Sequence, residues 1–173
     1  MREHSAIREG STAGIIGATA VAIWFLVVDM IAGHPLYTPE VLGRALLSVL
    51  GPGRQDSAIL LVAIYTGFHY AAFIVTGIIA ATIIHAGRDQ MAVLAGALIM
   101  FVMFEIGFYG LTALLSEAEA LGSLAWLQVG IANLIATALM GAYLWRAHPA
   151  LGQRLNFALS GRDEPIQYQP QTR

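Results

Sequence analysis

The sequence predicts an all-α integral membrane protein: four transmembrane helices in an up-down bundle, with a short amphipathic helix in the first outer loop. Three observations carry that reading. Four apolar stretches, 10–28, 57–84, 90–115 and 121–145, fill most of the 173 residues, and between them they hold only His69 and Glu105 as ionisable side chains of acid or histidine type. A helix rises about 1.5 Å per residue, so roughly 20 residues cross ~30 Å of hydrocarbon. The chain is 57% hydrophobic and only 12% charged, about half the charged share of an ordinary soluble domain. The arginines are also distributed unequally between alternate loops.

The first span is placed at 11–33. It follows a charged segment, 1–12, that mixes Arg2 and Arg8 with Glu3 and Glu9, and no clean small-residue cleavage site follows the span, which continues into Asp29 and His34, so it reads as a retained helix rather than a signal peptide. The 34–56 connection is the longest. Thr38-Pro39-Glu40 has the form of a helix start, with a hydroxyl N-cap, proline at the first helical position and an acid in the first turn. Gly51-Pro52-Gly53 has the form of its stop. Val41, Leu42, Ala45, Leu46, Val49 and Leu50 fall on one face, with Glu40, Arg44 and Ser48 on the other. The segment is expected to cover the bundle as a lid, or else to dock another subunit.

The second and third spans, 57–84 and 90–115, are joined by a tight loop. Gly87 suits the end of one helix and Asp89 the cap of the next, so the two spans should be antiparallel neighbours. The fourth span is placed at 122–146 and completes a transmembrane domain over 1–146. Residues 147–173 form a polar tail, partly disordered from Gly161 onward. Four spans put both termini and the 85–90 loop on one side. That side carries Arg2, Arg8, Arg88, Arg146, Arg154, Arg162 and Arg173, against Arg44 and Arg54 on the other. The bias places both termini in the cytoplasm of a bacterial inner membrane.

Composition removes several chemistries. The chain has no cysteine, which excludes disulfides, thiolate nucleophiles and thiolate metal sites. All nine basic residues are arginine, which excludes Schiff-base and phosphate-loop lysines. A net charge of −2 argues against nucleic acid as a partner. There is no H-E-x-x-H, no G-x-S-x-G and no glycine-rich phosphate loop. No span contains proline, so the broken helices of transporters have no counterpart.

Two sets of residues remain as candidates. The first is a buried polar layer. Counting from the outer ends, His69, Glu105 and Asn133 sit at similar depth, roughly 15 Å in. Asp29 lies nearer the outer interface, and Tyr65 and Tyr109 stand one turn above His69 and Glu105 on the same faces. Ionisable groups at that depth are costly and turn toward partners inside the bundle, so His69 and Glu105 are expected to meet. Such a layer is either interhelical glue or a haem, pigment or quinone site used for redox or proton handling. No metal site is expected; His69 is the only deep ligand available. Its helix-mate His85 is 16 residues away, about 24 Å along the axis, so the two cannot hold one haem iron. A shared haem in a homodimer, or pairing with Met103, is what a haem would require.

The second set consists of small residues that let helix backbones approach in lipid: Gly14 and Ala18 on the first span, Gly77 on the second, Gly96 on the third, and Gly130 and Gly141 on the fourth. They serve packing within the bundle, self-association, or contact with larger membrane subunits. Together with the missing chemical motifs, they favour a non-catalytic accessory or assembly subunit of a larger membrane complex, respiratory or photosynthetic for example, with no cofactor of its own. The alternatives are the redox or proton-handling protein and an oligomeric small-solute channel.

Overall fold

In the computed structural model, the described residues are 6–48, 57–86, Val102, 105–107 and 125–147, and they are all-helical apart from short turns. Among the described residues the long helices are α1 (Ala6–Ile31), α2 (Tyr37–Ser48), α3 (Ala58–Ala86) and α4 (Ala125–Ala147). Of these, α1, α3 and α4 are long and apolar enough to cross a membrane. The protein is therefore a helical membrane protein with at least these three candidate spans. The third span expected from the sequence, 90–115, lies outside the described residues except for Val102, Glu105, Ile106 and Gly107, which are helical. The Gly51-Pro52-Gly53 stop, the 87–90 loop and the tail beyond Ala147 also lie outside them.

The first helix begins earlier than its apolar run suggests. Arg8 and Glu9 are already helical, and Glu9 is buried because its Oε2 meets His85 Nε2 at 2.9 Å across the bundle. An interhelical contact thus carries α1 about one turn below its apolar stretch. At the other end α1 stops at Gly33. There the backbone turns left-handed (φ +80°), the Gly33 N–H donates to the Met30 carbonyl at 3.1 Å, and the His34 N–H to the Asp29 carbonyl at 3.0 Å. These are the paired bonds of a Schellman ending, and glycine is the residue that takes that conformation without a side-chain clash.

The start of α2 corrects the expected cap. The Glu40 N–H donates to the Leu36 carbonyl at 3.1 Å, so the helix opens at Leu36 rather than Thr38, and Pro39 stands in the third helical position. That position still needs no intrahelical donor, so proline fits. Leu36 is itself left-handed (φ 68°), a conformation disfavoured for a branched side chain. The capping group comes from α1: the Thr38 N–H donates to Asp29 Oδ2 at 2.8 Å, and the Thr38 hydroxyl donates to Asp29 Oδ1 at 2.7 Å. The apolar face of α2 turns inward, with Val41, Leu42, Gly43 and Ala45 buried, while Arg44 and Glu40 pair on the outside at 2.7 Å. This face lies on α3 at Leu61, where a Cβ on Gly43 would stand 2.7 Å from the Leu61 carbonyl carbon.

Among the described helices, α1 packs against both α3 and α4. The α1–α3 pair is antiparallel: Gly10 faces Gly77 and Ile78, Gly14 faces Phe73 and Ile74, and Ala18 faces His69. A Cβ on Gly14 would lie 2.6 Å from Ile74 Cα, and one on Gly10 would lie 2.6 Å from the Gly77 carbonyl oxygen. On the α4 side, Gly17 makes room for Met140, which is fully buried with Leu144. Ala13, Ala18, Ala80, Ala81, Ala132 and Ala136 make up much of the remaining core. Small core side chains suit association in lipid, where burial of apolar surface offers no net drive and close backbone contact supplies the attraction.

Candidate functional site

Each polar side chain inside the bundle can be followed to its partner. His69 projects from α3 toward α1, and its Nε2 lies 3.1 Å from the Ala18 carbonyl oxygen. A carbonyl can only accept, so Nε2 carries the proton and donates. In the neutral imidazole this leaves Nδ1 as an acceptor. An α-helical carbonyl keeps a second lone pair, so Ala18 can accept without losing its place in the helix. Its small side chain lets the ring come close. Three aromatic rings surround the imidazole: Tyr65 stacked at 5.7 Å, Tyr70 edge-on at 5.9 Å and Phe73 tilted at 4.7 Å between centroids.

Glu105 is half-buried, and its Oε1 accepts from Asn133 Nδ2 at 3.0 Å, which ties the helical piece of the 90–115 segment to α4. No direct hydrogen bond between His69 and Glu105 is found among the described residues; each bonds a different helix. Similar depth did not imply a shared face: His69 points at α1 and Glu105 at α4. Asp29 is buried and spent on Thr38. Tyr65 is half-buried beside His69, and Tyr109 lies outside the described residues. Asn133 is buried on α4, and on the same helix the buried Gln128 Oε1 has no hydrogen bond among the described residues.

The small residues divide in the same way. Gly14, Ala18 and Gly77 are buried in the α1–α3 contact, so the face of α1 around Gly14 and Ala18 is not left free for a partner. Likewise Leu42 and Ala45 of α2 are covered by α3 rather than presented outward. Gly96 lies outside the described residues. Gly130 and Gly141 differ, since a Cβ on either would meet no described atom within 4 Å.

Some groups that shape the site carried no signal in the sequence reading. Thr19 donates to the Ile15 carbonyl at 2.8 Å and so accepts the Tyr70 hydroxyl at 3.0 Å, a second link between α1 and α3 one residue along from Ala18 and His69. Phe73 stands one turn beyond His69, and the spacing Tyr65, His69, Phe73 at i, i+4, i+8 could have marked an aromatic stripe. The Ala18 carbonyl could not have been found, because every residue has one.

Between α1, α3 and the start of α2 lies a cavity of about 260 Å³. The glycines that bring α1 and α3 together lie in the half away from α2. In the other half Phe25, Leu26, Val62 and Tyr65 stand between the helices, and His69, Tyr70 and Thr19 bound the space at depth. Asp29 and Thr38 border it beside α2.

Among the described residues, no three His, Asp or Glu side chains gather as metal ligands would. Haem fits poorly: iron on Nε2 of His69 would have to displace the Ala18 hydrogen bond, no second described histidine faces it, and Met103 lies outside the described residues. No family model matches the sequence, and neither a curated protein nor a solved structure matches it.

Proposed function

We propose that this chain is a non-catalytic accessory or assembly subunit of a larger complex in a bacterial cytoplasmic membrane, of the respiratory or photosynthetic, energy-transducing kind. The observation that carries this reading is the use made of the intramembrane polar groups. His69, Asp29, Glu105 and Asn133 are each engaged in a contact that joins one helical element to another. Groups engaged in this way set register rather than react. The redox or proton-handling alternative needed His69 and Glu105 together, and they serve different helices. The chain crosses the bilayer four times in this reading, with 90–115 as the third crossing.

The partner face is taken to be on α4. Gly130, Leu134 and Gly141 fall on one stripe at helical spacing, and Trp126, Leu134 and Trp145 are exposed. In lipid such a face incurs no penalty, and its small residues allow a second backbone to approach. The full chain should co-purify in mild detergent with a larger membrane subunit at fixed stoichiometry, as native mass spectrometry would show. Gly130→Leu combined with Gly141→Leu should abolish that association without lowering the thermal midpoint of the isolated chain. A homo-oligomer alone, or a chain with its own absorbing cofactor, would overturn the proposal.

Both termini are placed in the cytoplasm, with α2 outside. Cysteine labelling is free of background because the chain has none. A Ser48→Cys variant should react with an impermeant maleimide in intact cells, as Ser48 is exposed. Reaction only after permeabilisation would reverse the orientation.

A further inference from the structure

We infer that the cavity between α1, α2 and α3 is a binding site for an uncharged lipophile bearing a ring hydroxyl, a hydroquinone or simple phenol, which enters from the bilayer. This does not depend on the accessory-subunit reading, since a subunit of either kind can hold a lipophile.

Size is the first argument. An apolar cavity of about 150 Å³ accepts a benzene ring. The 260 Å³ here takes one substituted ring and is too small for a macrocycle. Access is the second. Ala22, Ile23, Leu26 and Thr66 line the cavity and are also exposed, so its mouth opens on the lipid-facing flank of the α1–α3 pair and a tail can trail into the bilayer. A charged headgroup has no counterpart among the described lining residues: they include no arginine, and their one acid, Asp29, has both oxygens engaged by Thr38.

Polar complementarity is the third argument. Most polar side chains of the lining are already spent, Thr19 and Tyr70 on each other. Two groups are not. The His69 ring donates through Nε2 to Ala18, which leaves Nδ1 able to accept. The Tyr65 hydroxyl has no hydrogen-bond partner among the described residues, and its ring stacks on the imidazole. One acceptor and one hydroxyl on two stacked rings that both line the cavity suit a ligand hydroxyl, which donates to the imidazole and accepts from the tyrosine. Tyr65 and Tyr70, which flank the imidazole, and Phe25 across the cavity extend the apolar, aromatic surface that a ring would meet.

The test uses the full chain in lipid nanodiscs and a short-tailed dimethoxy-methyl hydroquinone as probe. Equilibrium titration should give saturable one-to-one binding. Tyr65→Phe, which removes one hydrogen bond and no packing, should weaken it roughly 5-fold. Ala22→Phe, which fills the mouth from an exposed position, should abolish it while leaving the thermal midpoint of the ligand-free protein unchanged. The dimethyl ether of the same probe, unable to donate, should bind more weakly than the hydroquinone. No saturable binding to the wild-type chain would overturn the assignment. So would an ether that binds as tightly as the hydroquinone, or affinity unchanged in both variants. A phospholipid chain that occupies the cavity and resists the probe would also overturn it.

Discussion

Gly77→Leu is expected to destabilise the bundle by about 3 kcal/mol or more, at or beyond the upper end of ordinary overpacking. A Cβ at this position would stand 2.8 Å from the Gly14 backbone nitrogen and 3.1 Å from its Cα, and closer still to the Gly10 carbonyl oxygen. Flexible side chains can swing away from a new methylene, but helix backbone cannot. The two helices would have to separate by more than one carbon radius. That would also stretch the His69–Ala18 and Tyr70–Thr19 hydrogen bonds, which lie on the same contact about two turns along. Gly14→Leu should behave alike, because it meets the Phe73 and Ile74 backbone. Thermal unfolding in detergent measures both. Gly67→Ala is the control: its Cβ meets nothing within 4 Å among the described residues, and alanine is the better helix former. Equal midpoints for Gly77→Leu and Gly67→Ala would show that α1 and α3 do not cross at Gly77.

Asp29→Ala should cost about 3 kcal/mol and act on α2 first. It removes two buried hydrogen bonds and leaves the Thr38 N–H and hydroxyl without partners, at about 1–3 kcal/mol for each stranded group. It also removes a carboxyl from the N-terminal end of α2, where the helix dipole favours negative charge. Hydrogen exchange should therefore speed up across α2 well before it does so in α1 or α3. Thr38→Val should show a smaller effect in the same place, since it keeps the backbone donor. Unchanged exchange in α2 for Asp29→Ala would mean that the apolar face on Leu61, rather than the cap, holds the helix.

These two results bear on what could be read in advance. The α1, α3 and α4 spans were legible because sustained apolarity over more than 20 residues has few other uses. The amphipathic α2 was legible because Glu40 and Arg44 contrast with Val41, Leu42 and Ala45. Its cap was misjudged: Thr38-Pro39-Glu40 has the form of a self-capped start, but Asp29, nine residues earlier, supplies the acceptor. A cap from another helix leaves no local spacing to recognise. Glu9 misled in the opposite direction. A charge before an apolar run reads as the end of a helix, yet its contact with His85, 76 residues away, holds it inside one.

The sequence by itself determined that the chain is helical and membrane-embedded, where α1, α3 and α4 lie, and how few polar residues interrupt them. Tertiary structure alone decided which faces meet. It set Gly14 against Ile74 and turned His69 to a backbone carbonyl rather than to Glu105. It gave Glu105 to Asn133, and it left a cavity beside Tyr65. The physical reason is the solvent. In water an apolar stripe announces the buried face of a helix, but in lipid both faces are apolar and burial gains little. The choice of face then rests on steric fit and on single hydrogen bonds. A hydrogen bond to a main-chain carbonyl, such as that of His69 to Ala18, has no signature in side-chain identity at all.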